Sequence, residues 1–358
     1  MKQKALWINQ IKGLCICLVV IYHSVITFYP HLEALHAPLS VLLAKCWVTF
    51  NLYLAPLPYA GCSSLSQGIW CGAILTRWTG KPAWINGSGA LSGFWHCGVC
   101  WQWQALTHMN AWLAPDRDLN TASNAAYADS LSGFITGMLT ASTSLWYLYA
   151  LVVYFTLCKL LSRWKLPLIG LLALVSIAIN FLPLPWWGMN SVVRNMIYYS
   201  LGAWYGVQLM AWMQARVWRR DALAVAAFGV VSVVLWFVGV PLPLSLLSIL
   251  LIMALFYRFE QRFSVSPDNL LNVVGSNTIA IYTTHRILIE GVSLFMIHQL
   301  NSGTWPVWAE LTVVLLYPFA SLLVCTLVGL GARKLSTALT GDFFFSPPAR
   351  LTPVQATR

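Results

Sequence analysis

The sequence predicts an all-α membrane protein with about ten transmembrane helices and both termini in the cytoplasm. Hydrophobic residues make up 59% of the 358 residues and charged residues only 9%, and the mean hydropathy is +0.70. A soluble domain could not cover so much apolar surface with its own polar groups. Because a spanning helix needs roughly 20 apolar residues, the length suits about eight to eleven spans and no separate soluble domain.

Eight apolar runs are predicted to be helices, and the stretch 40–108 is expected to hold two more. No internal repeat indicates the inverted halves of a secondary transporter. We therefore predict one transmembrane domain over residues 1–335, with 57–101 aberrant, and a cytoplasmic tail over 336–358. The runs lie near residues 6–29, 143–162, 166–184, 193–213, 222–240, 242–257, 270–297 and 308–332.

The loop charges alternate along the chain as the positive-inside rule requires. Basic residues lie at the N-terminus and after every second run, whereas the turns at 183–190, 240–244 and 301–305 carry no charge. Both ends are then cytoplasmic, which requires an even number of spans and favours ten. The net charge of +11 is thus distributed over membrane loops, and we expect the lipid bilayer rather than nucleic acid as the partner.

Neither a metal site nor a cleaved signal peptide is expected from the sequence. The nine cysteines show no paired metal-ligand spacing. The first apolar run is long enough to span and lacks a small-residue cleavage site.

Two ionisable residues lie in the first predicted span, where burying a charge is costly. Lys12 is near its cytoplasmic end, and His23 follows eleven residues later, about 16 Å farther along the helix axis. Lys12 has a simple alternative explanation as a snorkelling interfacial lysine. His23 is a candidate catalytic residue, with a hydrogen-bonded packing histidine as the alternative.

A second ionisable group lies in the ninth predicted span. His285 and Arg286 are near its middle, and Glu290 follows Arg286 by four residues, which lets the two pair on one helix face. A neutralised structural ion pair beside a packing histidine would explain them. The same residue types also suit general acid–base catalysis in a water-filled cavity or proton coupling in a transporter.

The run from Trp7 to Ser24 resembles the opening signature of acyltransferase family 3, which are multi-pass bacterial inner-membrane enzymes. Lys12, Gly13 and His23 match its basic residue, glycine and histidine, with lysine where arginine is usual, and Asn9 stands where an acidic residue is frequent. Three further segments are similar to the family, namely SLWYLYALVVYF at 144–155, YYSLGAWYG at 198–206 and IYTTH at 281–285.

The resemblance implies transfer of an acyl group, often acetyl, from acyl-CoA on the cytoplasmic side to a hydroxyl of a carbohydrate or other envelope molecule. It implies that His23 is the general base or an acyl-relay residue. Lys12 would replace the arginine that orients the donor or the active-site network, although lysine cannot match the bidentate geometry of arginine. His285, Arg286 and Glu290 are the secondary candidates.

Residues 57–101 fit neither the membrane pattern nor the family pattern, because they are rich in Gly, Trp and Cys without a spanning apolar run. Permitted codons can be assigned to residues 62–101 and then translated in the frame one base earlier. Residues 62–78 then become VFFFISGYLVRRYIDPV and residues 79–101 become DRQTRLDKRIWGTVWLLALWGVL, without a stop codon. That reading restores the family's FFFISG string, a basic loop and a new apolar span. A frame shift is therefore the favoured hypothesis, with a divergent, re-entrant segment as the alternative.

Three functions remain open from the sequence. The favoured one is an O-acyltransferase that uses His23, impaired in the chain as written. The second is a proton-coupled transporter or exporter that uses His285, Arg286 and Glu290. The third is a structural subunit whose membrane charges only pair.

Overall fold

A computed structural model describes the chain over residues 6–32, 35–54, 63–69, 96–109, 111–112, 124–215, 218–301 and 305–340. Most of the segment 57–101 and the tail beyond Thr340 lie outside these residues. Within the described ranges the regular secondary structure is entirely helical. The predicted all-α class is therefore confirmed for that part of the chain.

Thirteen helices in the described residues are numbered in chain order, of which α3 covers residues 63–69 and α4 covers residues 96–109. Single 3₁₀ turns lie at Tyr29–His31 and Ala125–Tyr127, and a π-helical turn lies at Phe50–Leu54. The remaining helices are α1 Leu6–Phe28, α2 Pro38–Thr49, α5 Leu131–Leu139, α6 Trp146–Leu160, α7 Lys165–Phe181, α8 Trp187–Ala215, α9 Trp218–Phe237, α10 Leu242–Arg262, α11 Leu270–Ser276, α12 Thr278–Asn301 and α13 Val307–Thr340.

The predicted continuous helix over 270–297 is wrong at one point, because the chain breaks between α11 and α12. The Asn277 side chain donates to the Val273 carbonyl at 2.6 Å. Arg333 of α13 donates to the Ser276 carbonyl and, at 2.8 Å, to the Asn277 side-chain oxygen. Asparagine competes for local backbone groups in this way and so favours helix ends over helix interiors.

Three helical stretches in the described residues are long and apolar enough to cross a bilayer, namely Leu6–His31, Leu242–Arg262 and Val307–Leu339. Four shorter apolar helices lie at Pro38–Leu52, Trp146–Leu160, Lys165–Phe181 and Ala222–Phe237. The helix α12 has 24 residues and sufficient length, but it carries ionisable residues in its middle. A total of ten spans stays a prediction.

Large apolar side chains cover the outside of the helix bundle. Leu174 of α7 is 67% exposed, Val230 of α9 is 66% exposed, and Leu323 of α13 is 60% exposed. Such a continuous apolar surface would be unfavourable in water and is what contact with lipid chains requires.

Helix ends that were predicted to lie on one side of the membrane meet at one face of the bundle. Glu260 at the end of α10 contacts the backbone of Trp7 at the start of α1. Arg333 near the end of α13 contacts Asn277 at the start of α12. The meeting of these helix ends agrees with the alternation of loop charges for the four helices. That this face lies on the cytoplasmic side of the membrane stays a prediction.

The first helix packs against α10, α11, α12 and α13, and it approaches α11 most closely. A Cβ atom on Gly13 would overlap the Leu271 carbonyl, and one on Gly275 would overlap the Asn9 carbonyl. Only glycine permits two helix backbones to come so near. The glycine after Lys12 therefore has a packing role that the sequence did not show.

Glu260 caps the first helix from a different part of the chain. Its carboxylate accepts hydrogen bonds from the Trp7 amide at 2.6 Å and the Leu6 amide at 3.3 Å. The first amides of a helix have no partner inside the helix, and a negative charge beside them is favourable.

We predict that Glu260→Ala lowers the free energy of unfolding by about 1–2 kcal/mol, because two helix-end amides lose their acceptor. Glu260→Gln should lose less, since its amide oxygen still accepts a hydrogen bond. Thermal unfolding in detergent measures both, with Asp268→Ala in the exposed turn before α11 as the control. Equal melting temperatures for Glu260→Ala and Asp268→Ala would contradict the capping role.

Candidate active site

The structure brings together the two histidines that the sequence placed in separate spans. The rings of His23 on α1 and His285 on α12 have centroids 5.1 Å apart and are tilted by 48°. The two helices run in the same direction, because His23 meets His285 and, farther along both, the Asn301 side chain at the end of α12 donates to the His31 carbonyl just after α1. This parallel packing places the two rings side by side.

Each histidine has a buried ring nitrogen without a hydrogen-bond partner. His285 is fully buried, and its Nδ1 lies 2.6 Å from the Tyr282 carbonyl. A carbonyl only accepts, so Nδ1 carries the proton and Nε2 presents a lone pair. Nε2 of His285 and Nδ1 of His23 are both buried, and neither has a hydrogen-bond partner among the described residues. Each of the two nitrogens could therefore bind a polar group of a ligand.

Arg286 is held by three side chains beside the histidine pair. One terminal nitrogen, Nη1, donates to the Thr27 hydroxyl at 2.7 Å, and the other, Nη2, donates to the Tyr127 hydroxyl at 2.6 Å. Nη2 also lies 3.5 Å from Glu290 Oε2, as the i,i+4 spacing predicted. The third nitrogen, Nε, is buried and makes no hydrogen bond within the part of the chain that the structure describes.

Glu290 neutralises the guanidinium and is bridged to it by a phenol. Tyr127 donates to Glu290 Oε2 at 2.9 Å, and its ring lies under Arg286 with the guanidinium carbon 5.6 Å from the ring centroid. Glu290 is 2% exposed, so an unpaired carboxylate there would be very unfavourable. The predicted ion pair exists, but the sequence did not indicate its tyrosine partner.

Tyr127 lies between the stretch 40–108 and the run at 143–162, in a connection where the sequence predicts no span. Residues 124–145 instead fold into the bundle as a 3₁₀ turn, the helix α5 and a tight return to α6. The turn is buried and is held by a hydrogen bond from the Ala125 amide to the Ser142 carbonyl at 2.8 Å. Irregular backbone beside membrane-spanning helices is tolerated where protein surrounds it.

Two amide side chains that the sequence did not indicate bond to backbone carbonyls one or two residues before the histidines. Asn51, in the π-helical turn, donates to the carbonyls of Ile21 and Tyr22, and Gln102 of α4 donates to the Thr283 carbonyl at 3.2 Å. Their amide oxygens are buried without a partner. A neutral amide lowers the hydropathy of an apolar run only slightly, so the sequence did not indicate Asn51 or Gln102 as a site residue.

Lys12 is not part of this cluster. It lies beside Gly13 at the crossing of α1 with α11, about 16 Å along the helix axis from His23. The structure therefore separates the candidate site residues into a central group of His23, His285, Arg286 and Glu290 and a distant lysine near the opposite end of α1.

The central group combines functions that group transfer needs. Two imidazoles offer general acid–base catalysis, and a guanidinium N–H offers a hydrogen bond to a developing negative charge. A family model described as an acyltransferase domain matches residues 88–330. The chain belongs to acyltransferase family 3.

A full-length relative supports the same membership. The inner membrane protein YcfT of Escherichia coli (strain K12) is 53% identical over 362 aligned residues, which cover 100% of both chains. No solved structure matches the chain.

These comparisons establish a multi-pass inner-membrane protein with an acyltransferase domain, as the resemblance predicted. The domain match includes His285, Arg286 and Glu290 and begins after Lys12 and His23. The catalytic roles of all five residues stay predictions.

Proposed function

We propose that this protein transfers an acyl group, typically acetyl, from acyl-CoA to a hydroxyl of a carbohydrate or other envelope molecule. The observation that supports the proposal most strongly is the contact between His23 and His285, each with a buried, unpartnered ring nitrogen. Buried polar groups are normally satisfied within the protein, so two neighbouring exceptions favour a ligand as the missing partner.

In this proposal His23 is the general base. It accepts the proton of the acceptor hydroxyl while the new C–O bond forms at the thioester carbonyl. It then returns this proton to the thiolate sulfur when the C–S bond breaks, so the imidazole ends neutral. His285, whose tautomer is set by the Tyr282 carbonyl, presents Nε2 beside it as a second acceptor, which would bind another O–H or N–H group of the acceptor molecule.

Arg286 is proposed to stabilise the negative charge that develops on the carbonyl oxygen. Its unpartnered Nε carries the N–H that would do this. Glu290 and Tyr127 hold the guanidinium and offset its charge, so the group stays fixed between ligands. The acyl carbonyl oxygen would therefore accept a hydrogen bond from the Arg286 Nε–H.

Lys12 is proposed to act at the donor side. It lies near the face where α1 begins, which the positive-inside pattern assigns to the cytoplasm, and acyl-CoA is a cytoplasmic donor. Its distance from His23 favours a contact with the phosphate-bearing part of the donor rather than with the reacting thioester.

The frame-shift hypothesis gains support from α3. Residues 64–66 are buried, and Ser64 Oγ has no partner within the described part of the chain. The shifted reading places Phe, Phe and Ile at these positions, which suits burial better than serine. It keeps glycine at position 68, where a Cβ would overlap the Tyr199 carbonyl of α8.

We predict that restoring residues 62–101 to the shifted reading raises the yield of folded protein and its acyl transfer well above those of the chain as written. The restored core positions become apolar, and the second and third spans regain continuous apolar runs. The assay mixes membranes with acetyl-CoA labelled in the acetyl group and measures CoA thiol release and label in envelope carbohydrate.

A matched chain with His23→Ala in the restored reading shows how much label depends on the site. Acyl transfer by the restored chain that His23→Ala removes would support the proposal. Normal turnover by the chain as written would contradict the frame-shift hypothesis. Proton-coupled uptake of a solute without thiol release from either chain would favour the transporter instead.

A further inference from the structure

We propose that Tyr127 is a positioning residue that acts through Arg286, and that the segment 124–145 aligns both halves of the active site. The inference rests on the proposed acyl transfer and adds a residue from outside the predicted spans. Neither the histidine signature nor the Arg286–Glu290 spacing indicates it.

The tyrosine hydroxyl occupies the centre of the charged pair. It accepts from Arg286 Nη2 at 2.6 Å and donates to Glu290 Oε2 at 2.9 Å, whereas the direct distance between these two charged atoms is 3.5 Å. The shorter contacts to the phenol show that Tyr127, more than the direct ion pair, sets where Nη2 lies. With Nη1 bound to Thr27 at 2.7 Å, the plane of the guanidinium is determined.

The turn that carries Tyr127 is itself well anchored. Asn124 accepts from the Ala126 amide at 3.0 Å and donates to Ser144 Oγ at 3.1 Å. Trp103 of α4 donates its indole N–H to the Ala128 carbonyl at 2.9 Å. A side chain on such an anchored turn loses little conformational freedom when it binds its partners, which is what a positioning residue requires.

The same segment also reaches the histidine. Tyr282 donates its hydroxyl to the Ser144 carbonyl at 3.1 Å, and the Tyr282 carbonyl accepts from His285 Nδ1. One end of the segment 124–145 thus holds Arg286 through Tyr127, and the other end holds the residue that sets the His285 tautomer. A shift of this segment would misalign both the histidine pair and the Arg286 guanidinium.

The experiment compares Tyr127→Phe with Tyr154→Phe in whichever form of the chain, as written or restored, transfers acyl groups. Tyr154 is fully buried in α6 and donates to the Val192 carbonyl at 2.6 Å, so its variant loses a similar hydrogen bond away from the site. Arg286→Lys and the double variant Tyr127→Phe with Arg286→Lys complete a cycle. Each variant is measured for kcat, for KM of acetyl-CoA and for the melting temperature.

We expect Tyr127→Phe to lower kcat by about 10- to 100-fold with KM changed little, because a displaced guanidinium stabilises the transition state less well. The double variant should match Arg286→Lys alone, since Tyr127 can act only through an arginine in place. Tyr154→Phe should lower the melting temperature without changing kcat per folded molecule.

Two results would overturn the inference, and they are distinguishable from each other. An active parent whose Tyr127→Phe variant keeps its kcat, or whose double variant shows additive losses, would reject the role of Tyr127 and leave the proposed function intact. A folded parent that releases no CoA thiol would reject the proposed function and this inference with it.

Discussion

Replacing His23 with alanine is expected to lower kcat for acyl transfer by about 10²- to 10⁴-fold, the range that a general base contributes. The variant should still insert and fold. His23 Nδ1 has no hydrogen-bond partner among the described residues, so the substitution leaves no new unsatisfied group on any of them. A histidine kept only for packing would show the opposite pattern, with reduced stability and unchanged turnover.

The measurement pairs His23→Ala with His298→Ala, which removes an exposed histidine from the far part of α12. CoA thiol release is divided by the amount of folded protein from size-exclusion chromatography. If His23 is the general base, His23→Ala loses turnover and His298→Ala keeps it. Equal turnover in both variants would contradict it and would move the base to His285.

Replacing Gly275 with alanine is expected to prevent stable folding, with a loss of about 3 kcal/mol or more. The added Cβ would overlap the Asn9 carbonyl of α1, and a backbone atom cannot turn aside as a side chain can. Separation of α1 from α11 would also move His23 away from His285, so any protein that folds should have little activity. Gly13→Ala should behave alike, since its Cβ would overlap the Leu271 carbonyl.

Gly331→Ala in α13 and Gly170→Ala in α7 are the controls, because no heavy atom lies within 4 Å of a Cβ at either position. Alanine favours a helix over glycine by up to about 1 kcal/mol, so these variants should be neutral or slightly more stable. Thermal unfolding in detergent and the yield of monodisperse protein distinguish the two pairs. A Gly275→Ala variant as stable as Gly331→Ala would show that α1 and α11 do not cross so closely.

Helix positions were largely predictable from the apolar runs. The run at 166–184 corresponds to α7 and that at 242–257 to α10, because lipid contact demands apolar residues along the whole length of a helix. The break at Asn277 was not predictable, since it depends on hydrogen bonds from Arg333, which is distant in sequence. The burial of the turn at 125–127 and of residues 141–145 was likewise hidden, because it depends on tertiary contacts.

The candidate site likewise contains residues that the sequence indicated and one that it did not. Ionisable residues in an apolar run are visible in a sequence because burying a charge is costly, and that cost singled out His23, His285, Arg286 and Glu290. Tyr127 was invisible because a tyrosine in a predicted loop carries no such cost. Its contact with Arg286 joins residues 159 positions apart.

By itself, the sequence determined that this chain is a helical membrane protein, which family it resembles and which ionisable residues interrupt its apolar runs. These conclusions follow from local hydropathy and from residues a few turns apart. Only the tertiary structure decided that His23 meets His285 and that Arg286 is held by Tyr127. Those contacts depend on how close two helices approach at Gly13 and Gly275, and close approach is a property of pairs of helices that no single run of residues contains.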